Sequence, residues 1–162
     1  MKKILLFITL AFLFLKINAQ EYKEYYNNGS LKVSGTTKNK IDTGEWKYYF
    51  ESGIISKTGV YENGKLHGEW KYYHENGTLR IIGKYKKGKD TGKWKYYHKN
   101  GTLRAIGKYK NGKQKGKWKY YYKNAVLSKI GRKVNGKNVG EWKYFNKNGT
   151  LKKMLKKLLK KK

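Results

Sequence analysis

Six lysines, Lys23, Lys47, Lys71, Lys95, Lys119 and Lys143, stand 24 residues apart along a chain of 162 residues. An ammonium group on a flexible stem is a compact, strongly hydrated point charge. A regular series of them is suited to holding anionic groups rather than to breaking bonds. The surrounding composition agrees, with 40 Lys and Arg against 10 Asp and Glu and a formal net charge of +30. A field of that sign favours lipid headgroups, acidic polysaccharide or nucleic acid as partners. It would also serve merely to keep a long sheet soluble and its edges unpaired.

Catalytic chemistry finds no footing in the same residues. The carboxylates are dispersed, mostly beside lysines, and no two are spaced as an acid and base pair. No serine lies in a G-x-S-x-G elbow, no glycine loop of the phosphate-cradling kind is present, and there is no cysteine. His74 and His98 occupy equivalent positions, which in stacked repeats puts them about 10 Å apart, too far to share a metal. His67 lies beside a turn. The expectation is therefore no enzyme, no cofactor and no metal centre.

The residues that must position the lysines are themselves periodic. Trp46, Trp70, Trp94, Trp118 and Trp142, all the tryptophans of the chain, each precede one of the lysines, and Tyr22 precedes the first. An aromatic pair or triplet follows each Lys, directly in the five Trp copies and after Glu24 in the degenerate first one, then a turn signal: Asn28-Gly29, Ser52-Gly53, Asn76-Gly77, Asn100-Gly101, Asn124-Ala125 and Asn148-Gly149. A second series runs Asn63-Gly64, Lys87-Gly88, Asn111-Gly112 and Asn135-Gly136. Asn-Gly between half-apolar segments is the strongest short-range hairpin signal, because a type I′ turn needs positive φ at both central residues. No gap between turns accommodates a crossover helix, and no proline interrupts the ladder. The pattern predicts an all-β fold, an elongated antiparallel meander of 24-residue hairpin repeats in a single sheet.

Treating Asn76-Gly77 as a two-residue turn pairs His74 with Leu79, Tyr72 with Ile81 and Trp70 with Gly83. Counting around Lys87-Gly88 sets Gly92 opposite Gly83 and Trp94 opposite Ile81. Gly59, Gly83, Gly107 and Gly131 then read as gaps that admit the Trp of their own hairpin. Alternation along the strand gives one face Trp70, Tyr72, His74, Leu79, Ile81 and Tyr85, and the other Glu69, Lys71, Tyr73, Arg80, Ile82 and Lys84. The lysine series becomes a ladder with steps of about 10 Å. The aromatic face of such a sheet needs cover, either from its own curling or from a second copy of the chain.

The two ends differ from the middle. Residues 1–19 have a cationic start, an apolar run from Ile4 to Leu15 and a small residue at Ala19, as in a signal peptide; the run is too short for a stable membrane anchor. Residues 20–150 hold about five and a half repeats. Residues 151–162 place Leu151, Met154, Leu155, Leu158 and Leu159 at helical spacing among seven lysines, which predicts a basic amphipathic helix. That helix would either cap the end of the sheet or lie on a membrane surface.

The pattern G-[EK]-W-K-Y-Y-x2-N-G-x-L-x3-G-x-Y-x2-G-K, clearest from Gly68 to Lys89, resembles the bacterial variant of the MORN repeat, whose members often carry a YwqK-type antitoxin label. The resemblance covers about residues 20–151. It implies an elongated sheet of hairpins that contacts protein or membrane and has no enzymatic activity. Three positions depart from it: Ala125 stands for the turn glycine, Lys133 for the Tyr85-type residue, and the first copy lacks its leading glycine. Together these readings give a non-enzymatic, exported scaffold at the cell envelope, in the periplasm, on the outer surface or secreted. It would bind an anionic surface, lipid or acidic polysaccharide, or a partner protein. A carbohydrate or cell-wall module and an antitoxin-type partner rank below that, and nucleic acid below both, since export removes it from reach.

Overall fold

A computed structural model describes residues 19–157; residues 1–18, where the signal peptide was expected, and residues 158–162 lie outside the described residues. Twelve strands follow in order: β1 Ala19–Tyr25, β2 Leu31–Lys38, β3 Ile41–Tyr49, β4 Ile55–Glu62, β5 Lys65–Tyr73, β6 Leu79–Lys86, β7 Lys89–Tyr97, β8 Leu103–Lys110, β9 Lys113–Tyr121, β10 Leu127–Val134, β11 Lys137–Phe145 and β12 Leu151–Lys157. They form one sheet in which every strand pairs, antiparallel, with its neighbours in sequence. The all-β meander of hairpins expected from the turn spacing is the fold.

The turn chemistry splits into two kinds. At Lys87-Gly88 both residues have positive φ, 51° and 75°, and Lys86 pairs with Lys89, which is the expected two-residue turn. Asn39 and Lys40 make the same turn at φ 52° and 61°, without any glycine to announce it. The Asn76-Gly77 series is different. Gly77 N–H donates to the His74 carbonyl and His74 N–H to the Thr78 carbonyl, closing a three-residue loop. The expected His74–Leu79 pair is therefore replaced by Tyr73–Leu79, and a bulge between Tyr72 and Tyr73 then restores Tyr72–Ile81 and Trp70–Gly83. Two departures cancel, so the inner register survives while Leu79 moves to the lysine face.

A second bulge corrects the account of the glycines. Ile82 pairs with Lys95 and Lys84 with Thr91, so Gly83 alone faces Gly92, Lys93 and Trp94. Gly92 takes φ +66° to make that step, and Trp94 is swung over Gly83 instead of opposing Ile81. A Cβ on Gly83 would lie 2.1 Å from the Trp94 ring, and one on Gly59 would lie 2.1 Å from Trp70. Gly35, Gly107 and Gly131 seat Trp46, Trp118 and Trp142 in the same way. The mid-strand glycines thus admit the indole of the following repeat, not that of their own hairpin. Counting from the turns alone misses this, because the extra residues of the bulge sit opposite a residue that shows no side chain.

These seats cover the aromatic face from within the chain. The five indoles are 0–4 % exposed. Tyr61 stands edge-on between Trp46 and Trp70, with centroids 5.5 and 5.2 Å away; Tyr85 repeats the arrangement between Trp70 and Trp94, and Tyr109 is tilted against Trp94 and edge-on to Trp118. Tyr48 with Tyr61, Tyr72 with Tyr85 and Tyr96 with Tyr109 share hydroxyl hydrogen bonds of 3.1, 2.9 and 2.9 Å above the rings. Turn-to-turn bonds tie the repeats along both margins, as from Gly88 N–H to the Leu66 carbonyl and from Asn76 Nδ2 to the Lys99 carbonyl.

The expected C-terminal helix is absent over the described part of its range. Residues 151–157 form β12, paired from Phe145–Leu151 to Gly140–Lys157. An isolated twelve-residue helix is marginal in water, whereas β11 offers a complete row of backbone partners. Leu155 falls opposite Trp142, in the slot that Gly83 fills opposite Trp70. Leu151, Met154 and Leu155 are about half exposed on this edge strand.

Candidate functional site

The lysines that follow the aromatic slot lie on one line across the entire sheet. Lys23 pairs with Ser34, Ser34 with Lys47, Lys47 with Thr58, Thr58 with Lys71 and Lys71 with Ile82. The line continues through Lys95, Ile106, Lys119, Ile130 and Lys143 to Met154. All six lysines expected to form the ladder are thus brought together, one on every second strand. Between them stand hydroxyls at the β1 end and branched apolar side chains from β6 onward. Tyr73, Tyr97 and Tyr121 lie two residues beyond a ladder lysine on the same face, each opposite Leu79, Leu103 or Leu127.

Neighbouring charges make the six unequal. Lys23 is 2.8 Å from Glu21, and Lys71 and Lys143 are each 3.5 Å from Glu69 and Glu141. The hydrogen bond to Glu21 raises the pKa of the Lys23 ammonium. Lys95 and Lys119 have lysines, Lys93 and Lys117, where those glutamates stand. Lys108 is directly opposite Lys93 on one side and Lys115 on the other. Beneath this cluster is an open depression of about 230 Å³ whose floor is Ile106, Leu103 and Tyr121. The contrast was legible in the residue before each aromatic slot, which reads Glu21, Glu45, Glu69, Lys93, Lys117 and Glu141.

Trp46, Trp70, Trp94, Trp118 and Trp142 and their glycines belong to the opposite face, and their role is structural. Burial, followed by the partner hydroxyl, pushes the Tyr48, Tyr85 and Tyr96 phenols well above the usual range. The basic groups on that face are absorbed by the rings. Lys57 Nζ sits 3.8 Å from the Tyr48 ring centroid, and burial lowers its pKa. Lys133 fills the Tyr85-type position: its ammonium lies 5.7 Å from the Trp118 centroid and donates to Gln114 Oε1 at 2.6 Å. Burial, and then the charge of Lys129, lowers its pKa. His74 and His98 point Nε2 at the Tyr97 and Tyr121 carbonyls of the following copy, at 3.3 and 3.1 Å, where they tie repeats together. His67 Nδ1 lies 2.9 Å from Glu62.

Comparison with known families finds the MORN repeat variant at residues 21–39, 42–63, 66–87, 90–111 and 138–155. The repeat between them, carrying Lys115, Lys117, Ala125 and Lys133, falls outside these matches although its strands β9 and β10 keep the common register. No curated protein matches the chain.

Proposed function

The chain belongs to the MORN repeat variant family, and on that footing we propose that it is an exported, non-enzymatic scaffold that binds at the cell envelope through its lysine face. Its partner is an anionic surface, lipid or acidic polysaccharide, or a protein that presents acidic groups. One observation carries this reading: the opposite face is filled by the chain's own indoles and tyrosine pairs, while the lysine line crosses all twelve strands with Lys23, Lys47, Lys119 and Lys143 exposed and Lys71 and Lys95 part-exposed. A field of one sign concentrated on one face draws polyanions. The indoles are not free to stack on sugar rings, which ranks a neutral carbohydrate module lower. Antitoxin-type binding stays below both, because an exported chain does not meet a cytoplasmic toxin.

The test is retention of the chain from Gln20 on anionic vesicles and on immobilised polygalacturonate, against neutral vesicles and neutral dextran, across a salt series. Tight retention at about 0.05 M salt that collapses by about 0.5 M is expected, since screening shortens from over 10 Å to a few ångströms across that range. Salt-insensitive retention, or none on any anionic support, overturns the proposal.

A further inference from the structure

Resting on that reading, we infer that the lysine face has one preferred site, the β7–β9 cluster, and that its ligand is a short run of a linear acidic polysaccharide. Placing like charges directly opposite each other on adjacent strands costs stability, yet Lys108 faces a lysine on both sides. In three other repeats the slot of Lys93 holds Glu21, Glu69 or Glu141 instead, each within 3.5 Å of its ladder lysine. The repeats carrying Lys93 and Lys117 have exchanged that built-in counter-charge for a fourth and fifth cation around Lys95, Lys108 and Lys119. An external anion supplies what the fold leaves out.

The shape of the patch selects among anions. Glu69 on β5 and Glu141 on β11 bound it on either side, so it spans two repeats and no more. A planar membrane would press on the whole face, glutamates included. A chain of charged sugars can instead run across strands, meeting Lys95 and Lys119 one repeat apart. The depression beside Lys119 is lined by the apolar Ile106, Leu103 and Tyr121 and by Lys93, Lys108 and Lys117. That suits a sugar ring, whose face is weakly polar and whose carboxylates project from its edge.

Two variants of equal charge change locate the site: Lys93→Glu with Lys117→Glu, which restores the residue of the other repeats, and Lys23→Glu with Lys47→Glu. Affinity for polygalacturonate oligomers at fixed moderate salt should fall at least about tenfold in the first and less than about threefold in the second, because only close, unscreened pairs carry affinity. Lys93→Gln with Lys117→Gln repeats the first measurement without introducing new ion pairs and should show a smaller loss in the same direction. Equal losses from the two glutamate variants overturn the inference. A wild-type chain that binds anionic vesicles but not polygalacturonate also overturns it, and leaves the broader proposal standing. Binding to neither removes both.

Discussion

The smallest unit of this molecule is a bare glycine under an indole of the next repeat. Gly83→Ala would put a methyl group 2.1 Å from the Trp94 ring, a clash that backbone or ring must yield to. Overpacking of this kind costs about 1–3 kcal/mol. Denaturant unfolding should show a loss in that range, and a double-mutant cycle should couple Gly83→Ala to Trp94→Leu and not to Trp70→Leu. Ala125 makes the opposite case, since it holds φ +63° where the matching turns have glycine. A left-handed backbone costs an L-residue about 1–2 kcal/mol, so Ala125→Gly should raise unfolding free energy by about 1 kcal/mol. The buried phenols add a pH dependence. Their folded pKa lies above the unfolded value, so the stability they contribute is complete below about pH 10 and declines as pH rises past it. A spectrophotometric phenolate titration should therefore find a group of tyrosines that ionise only as the sheet unfolds, well above the exposed ones.

At the scale of the element, the hairpin was legible in the sequence and its bulges were not. Asn-Gly pairs and the 24-residue period gave two antiparallel strands per repeat and the Trp70–Gly83 pairing, though not the twelfth strand. They could not reveal that Glu75-Asn76-Gly77 closes as a three-residue loop, because the following bulge at Tyr72 and Tyr73 hides the slip from any count that ends at Trp70. The glycine before each Trp looked like part of a motif; its physical task is the positive φ that lets Trp94 reach across to Gly83. The last element misled for another reason. Leu151, Met154 and Leu155 fit helical spacing, but a free strand edge competes for the same backbone groups and wins. Truncation after Thr150 should accordingly lower the thermal midpoint, since it removes β12 and uncovers β11. An unchanged midpoint would mean that β12 contributes no stability to the sheet.

Across the whole molecule, the two faces divide the work. The aromatic face supplies a continuous core one ring deep, from Tyr22 to Trp142, and consumes the side chains that would otherwise invite a second sheet. The lysine face was readable as a ladder from spacing alone. Its gradation was harder to see, because the significance of Lys93 and Lys117 depends on which strand faces them, as Lys108 does. The charge on which the proposed binding rests also strains the face: Lys93→Glu alone should stabilise the chain by about 0.5 kcal/mol, the scale of one cross-strand charge pair, while weakening its hold on a polyanion.

The most direct measurement is lysine acylation with and without polygalacturonate, read residue by residue by mass spectrometry. The account predicts strong protection of Lys95 and Lys119, weaker protection of Lys47 and Lys71, and none at Lys57 or Lys129 on the aromatic face. Uniform protection of all lysines, or protection centred on Lys57 and Lys129, would contradict the claim that this molecule binds through the face opposite its indoles.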